Sequence, residues 1–419
     1  MDSEFTPELQ SRVSEILHSF DNGPMESLFS LFLSSDQLEK STAVVFLECS
    51  KKIFPDLLFI NLCFLIRYGS DLYIRAKAIR ILQFLRICDF WPKFQETEKS
   101  ILKDNFLAYL KEGDSMPVLR MFCAVVAETL CETYKDGQKW PELLKFLLTS
   151  LEKTSDNKFQ EIAFLVLAKF PRDFSSFICD SLKHSVRALH SSFLDGGLAS
   201  ASPNVQVASL GAVVTLVPLF TDYASQGQFQ EILRAIMAGV FTLSRSPQNS
   251  HVLMAFNELI SLVSKGPHLL KPHIGGMVSD MLKIVENSAL NKEIHCYAVR
   301  LIMTLTERED FKPIFLSLPH ETMVRLFLVP VKMLLCIEED MTTNESKGKE
   351  DGSTGKTNVY NFGLESLYHL SVILGGNKII PIASELLSLY LESPEWQKRH
   401  VGITLFALIG KEFSFKTVN

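Results

Sequence analysis

The sequence predicts an all-α fold, a right-handed superhelical solenoid of about nine HEAT-type helical pairs. Three observations lead there. Apolar residues recur at helical spacing through nearly the whole 419-residue chain. Alternation of apolar and polar residues never persists, so strand signals are scarce. Polar, Gly or Pro breaks divide the chain into pairs whose second helices begin near residues 38, 71, 117, 158, 204, 249, 292, 358 and 394. Most of these intervals are about 36–46 residues, which is the HEAT and armadillo spacing and exceeds that of tetratricopeptide or ankyrin units. Such repeats contact mainly their neighbours.

An acidic amphipathic extension, residues 1–24, comes first. Residues 25–337 hold pairs one to seven and the first helix of pair eight. Residues 338–357, EEDMTTNESKGKEDGSTGKT, have Met341 as their one apolar side chain. That composition predicts a disordered, mildly acidic insertion. Residues 358–419 complete pairs eight and nine.

The hairpin of residues 136–170 shows the logic most clearly. Trp140-Pro141 opens its first helix, because proline at the first turn loses an amide that had no partner there. Leu143, Leu144, Leu147, Leu148 and Leu151 form one broad apolar stripe. After a polar break, Asn157 is the expected cap of the second helix, with Gln160 in the capping-box position. Phe159, Ile162, Ala163, Val166, Leu167 and Phe170 make the facing stripe. Two such stripes cover only part of each other, so the unit requires neighbours.

Composition excludes several classes. An apolar fraction of 47%, including 31 Phe, supplies a large core. The formal charge of -6 with no basic run argues against direct nucleic-acid binding. The eight cysteines include no CxxC pair, which fits buried reduced thiols in an intracellular chain. The N-terminus lacks the basic and apolar regions of a signal peptide. No apolar run is long enough for membrane insertion.

No catalytic, cofactor-binding or metal-ligating set stands out, so neither a cofactor nor enzymatic activity is expected. Gly196-Gly197, Gly275-Gly276 and Gly375-Gly376 read as breaks between helices. His268 and His273 are separated by Pro272 with no third ligand near, and His295 and Cys296 point apart on a helix. On the second helix of pair two, Tyr73, Lys77 and Arg80 share a narrow arc. That arc lies about a quarter-turn from the stripe of Ile74, Ala78, Ile81 and Leu85. Such an arc serves as a solvated surface or meets an acidic partner. Arg120 and Arg399 occupy positions where solenoids commonly place a ladder between repeats.

Three stretches resemble the importin-β (karyopherin-β) family, most closely its importin-five (Ran-binding protein five) branch. They are WPELLKFL with the downstream AKFP, residues 270–307 (LKPHIGGMVSDMLKIVENSALNKEIHCYAVRLIMTLTE), and residues 374–413 with their RHVGITLFALIGKE run. The resemblance implies a carrier found in cytoplasm and nucleus. It implies binding to the small GTPase Ran in its GTP form, to basic cargo and to nuclear-pore phenylalanine-glycine repeats. By position, the Ran-facing residues would be Lys77, Arg80 and Arg120. Glu338, Glu339, Asp340, Glu350 and Asp351 would supply acidic-loop contacts to Ran or basic cargo.

A second reading is a HEAT scaffold or adaptor of a multiprotein complex that transports nothing. The shortness of the chain and the lysines that dilute its acidic insertion favour it. In either case pair nine ends on an apolar face. Trp396, Leu405 and Phe413 are expected there, leading to self-association or a covering partner.

Overall fold

The computed structural model describes residues 5–19, 21–32, 34–152, 156–170, 186–217, 223–246, 249–337 and 359–417. Helices dominate them, and no strand occurs among these described residues. Two compact units divide the chain, Met1–Asp222 and Tyr223–Asn419.

In the first unit, α1 (Pro7–Leu17) precedes the pairs α2 (Gly23–Leu31) and α3 (Gln37–Ile53), then α4 (Pro55–Tyr68) and α5 (Leu72–Leu85). The pairs α6 (Glu96–Glu112) and α7 (Met116–Lys135), then α8 (Pro141–Ser150) and α9 (Asn157–Ala168), follow. The unit ends with α10 (Val186–Ser191), a π-helical turn over Ser192–Leu198, and α11 (Pro203–Thr215). The helix starts have local causes. Asp36, Asp71 and Asp156 each accept the amide two residues ahead, capping α3, α5 and α9. Pro55, Pro141 and Pro203 occupy first-turn positions where no amide is required.

The second helices pack in succession, α5 on α7, α7 on α9 and α9 on α11, while α2, α4 and α6 form the companion layer. The stripe Ile74, Ala78, Ile81 and Leu85 is buried between them. Polar links staple adjacent repeats as well. Arg67 reaches Glu112 at 2.7 Å, Lys99 reaches Asp136 at 2.8 Å, and the Lys158 ammonium donates to the Gly113 carbonyl at 2.6 Å.

Several expectations need correction here. Asp156, not Asn157, caps α9; Asn157 is already helical, and the Gln160 amide instead donates to the Glu152 carbonyl at 2.9 Å. Gly196-Gly197 lies within a π-helical turn rather than in a break between helices. Both residues are buried in the π-helical turn, and a Cβ on Gly197 would stand 2.5 Å from Ser209 Cβ and 2.8 Å from Phe164 Cζ. Glycine is needed for that close approach. Spacing and apolar pattern start the fifth pair at Phe174, and 171–185 lie outside the described residues.

The second unit pairs α12 (Tyr223–Ser244) with α13 (Asn249–Lys265), then α15 (Ile274–Glu286) with α16 (Lys292–Thr306). It continues with α18 (His320–Met333) and α19 (Val359–Leu374), and closes with α20 (Gly376–Leu391) and α21 (Trp396–Thr417). The short helices α14 (Pro267–Leu270) and α17 (Lys312–Leu316) lie in the connections. The apolar spacing from Leu269 to Glu286 reads as a single helix. It is broken instead by a 3₁₀ turn, Lys271–His273, because Pro272 cannot donate its backbone amide. Layers again form from α13, α16 and α19 on one side and α12, α15 and α18 on the other. Arg399 makes no ladder: its guanidinium donates to the Ser393 and Pro394 carbonyls and braces its own turn.

At the end of this unit Leu405 is buried in the core. Trp396 is exposed, as expected, and Leu389, Leu391, Ile403 and Phe406 are exposed with it, Phe406 at 63%. Ile403 follows Trp396 by two helical turns and Phe406 lies one turn on, so one stripe of α21 faces solvent. The side chain of Phe413 lies outside the described residues.

Burial holds the imidazoles of His273 and His295 below their usual range, with nearby Arg234 and Lys292 adding to the shift respectively. A lowered folded-state value means that the unfolded chain takes up protons first. The resulting stability is present above the ordinary value of 6.5 and lost as pH falls below it. Melting temperature is therefore expected to drop between about pH 7 and about pH 5.5, and less steeply in the double variant His273→Gln with His295→Gln. Circular dichroism melts across that window check it; identical slopes would remove these two groups as the cause.

Candidate protein-binding face

The described residues contain no group of three or more His, Cys, Asp or Glu side chains placed to hold a metal. Burial works against activation of several thiols. Burial pushes Cys123 up to about 12, and Cys49, Cys63 and Cys131 also upward. No helix in the described part is long and apolar enough to cross a membrane. What the first unit offers is surface.

That surface lies on α5. Tyr73 is 52% exposed, Arg80 is exposed and Lys77 is half-buried. Phe84 extends the same arc, since eleven residues bring a helix almost back to the same angle. It is 75% exposed, an unusual cost for a large aromatic ring. Sequence reasoning stopped at Arg80 and missed it, although following the arc one turn further finds it.

Neighbouring helices complete the face. The Lys77 ammonium sits 5.2 Å from the Phe32 ring centroid, just beyond α2, and the Lys51 ammonium of α3 sits 5.9 Å from that of Phe84. Val44 and Val45 of α3 are also exposed, Val44 two turns before Lys51 on the same helix face. The result is an apolar surface interleaved with cations. Such a surface suits a protein partner that presents carboxylates around an apolar spot.

Arg120 is held differently. Its Nε lies 2.5 Å from Oε1 of Glu161 on α9, with the two side chains 39% and 8% exposed. The expected ladder therefore exists at this arginine, and part of its guanidinium remains accessible. Glu161 itself is buried, and sequence reasoning did not single it out. Replacing Arg120 by Met should destabilise the unit by about 1–3 kcal/mol, since it strands a buried carboxylate, and less in a Glu161→Gln background. Urea unfolding of the four proteins of this cycle measures the coupling; additive effects would mean that the pair contributes nothing. Glu338, Glu339, Asp340, Glu350 and Asp351 lie outside the described residues.

Fold and face define a class first: a helical-repeat solenoid of HEAT or armadillo type with an exposed apolar and cationic face. Residues 115–279 match the family model for IPO5-like TPR repeats, and residues 260–349 match that for Tubulin-specific chaperone D-like ARM repeats. Solved structures show the same fold at greater length. Kap121p bound to RanGTP superposes with a TM-score of 0.73 at 17% identity, over 97% of this chain and 37% of that one. Kap121p bound to Nup53p gives 0.71 at 17% over 97% and 37%, and Kap121p bound to Pho4p gives 0.73 at 18% over 93% and 37%. The chain thus spans 37% of the length of these similar structures. The segment match is thus to IPO5-like repeats, and the solved structures show the shared fold alone.

Proposed function

We propose that this chain works as an importin-β-type transport receptor that binds Ran in its GTP form and carries basic proteins between cytoplasm and nucleus. The observation that carries this reading is the IPO5-like match over residues 115–279, set within a fold shared with a RanGTP-bound karyopherin. Lys77 and Arg80 supply cations to Ran from α5, Tyr73 and Phe84 supply apolar anchors, and Arg120 borders them on α7. The residues of 338–357 engage Ran or cargo through Glu338, Glu339, Asp340, Glu350 and Asp351. Phenylalanine-glycine repeats of the pore are further partners, and the exposed stripe of α21 pairs with a second copy or a covering protein. Binding alone accounts for this activity, with no chemical step.

Immobilised chain should retain Ran loaded with a non-hydrolysable GTP analogue and not Ran loaded with GDP. Equal retention of both forms, or of neither, removes Ran from the reading. The match of residues 260–349 to the Tubulin-specific chaperone D-like repeats favours a second reading, a scaffold that holds protein subunits and transports nothing. Nuclear accumulation of a basic reporter in permeabilised cells, dependent on this chain, decides between the two.

A further inference from the structure

In the second unit, the end of α15, the start of α16 and one side of α18 enclose a cleft of about 410 Å³. That is the size of a ligand pocket. Leu290, Leu328, Val329 and Met333 form apolar walls, while Arg325 and Lys332 stand against one lining acid, Glu286. Arg325 already holds that acid through two hydrogen bonds, Nε to Oε1 at 2.8 Å and Nη2 to Oε2 at 2.7 Å. These bonds keep the Glu286 carboxyl ionised and below its ordinary range. Lys332 is exposed and makes no ion pair among the described residues. The cleft is therefore a local cationic surplus on a chain whose net charge is -6.

We propose that this cleft binds a short acidic-apolar peptide segment of a partner protein. One or two aliphatic side chains enter beside Leu328 and Met333, and flanking carboxylates meet Lys332 and the outer edge of Arg325. The cations select the sign of the partner's charge, and the walls supply contact area. Glu286, Ser288, Lys292 and Lys332 on the rim are all exposed. A chain crossing the mouth thus keeps its backbone amides in water, which a closed cavity would forbid. This partner is opposite in charge to basic cargo, and the cleft belongs to a different unit from the α5 face. The inference does not rest on transport or on Ran.

Fluorescence anisotropy of the full chain with a fluorescein-labelled hexapeptide, two leucines flanked by aspartate pairs, tests it. Binding should saturate and weaken by about tenfold or more in Lys332→Glu and in Leu328→Asp. Lys283→Glu, an exposed change on α15 outside the cleft lining, should bind as the parent does. Lys332→Glu alters only an exposed side chain, so its circular dichroism should match the parent. Four results each overturn the proposal: unchanged binding by Lys332→Glu, equal binding of a peptide with lysines in place of aspartates, binding of dodecanoate without the peptide, and preference for a phenylalanine-glycine peptide.

Discussion

Alanine at Phe164 is expected to destabilise the first unit by about 3–5 kcal/mol in urea or thermal unfolding. The side chain is fully buried on α9, and its ring stacks on Phe193 with centroids 5.6 Å apart and planes at 27°. Gly197 and Ser209 crowd together beside the tip of the ring, in a packing so close that no Cβ fits on the glycine. The site cannot collapse from that side, because the π-helical turn already touches α11. Most of the lost volume would persist as a cavity, which is why the upper part of the range is expected. Phe164→Leu should recover more than half of the loss. A cost below about 1 kcal/mol for the alanine variant would show that α9 and α11 can close the gap.

Reversing both cations of α5, Lys77→Glu with Arg80→Glu, is expected to weaken Ran-GTP binding by at least about a hundredfold while leaving the melting temperature within a few degrees. Arg80 is exposed, and the Lys77 ammonium rests on the Phe32 ring rather than in an ion pair, so folding depends little on either charge. Binding depends on them more, because a carboxylate partner then meets like charge in a desolvated contact. Lys145→Glu, an exposed change on α8, serves as the control and should bind normally. Calorimetric titration with each variant reads the effect. Full affinity in the double reversal would move the Ran contact off α5.

The repeat architecture was legible because helix period and helix stops are both local. The observed second helices start at Gln37, Leu72, Met116, Asn157, Pro203, Asn249, Lys292, Val359 and Trp396, none more than two residues from the expected positions. Proline and aspartate at first turns fix such starts without help from the rest of the fold. Errors arose where a neighbour decides the outcome. Glu161 looks like a surface acid until α7 brings Arg120 against it. Gly197 looks like a break until Ser209 arrives beside it. At pair nine, periodicity identified apolar residues but not which of them a neighbour covers, so Leu405 was placed outside and Phe406 overlooked. For the α5 face, the charged half was readable from spacing, while the exposure of Phe84 depends on which side of α5 its neighbours α4 and α7 cover.

The stacking of α7 on α9 also equips the chain with an internal clock. Cys123 and Cys131 lie on α7, both buried, and the Cys123 sulfur lies 3.9 Å from the Ile162 carbonyl of α9. A thiol in that position meets a water-borne alkylating reagent only when the two helices part. The rate at which Cys123 becomes labelled under native conditions therefore reports the opening of this one interface, through a thiol the chain already carries.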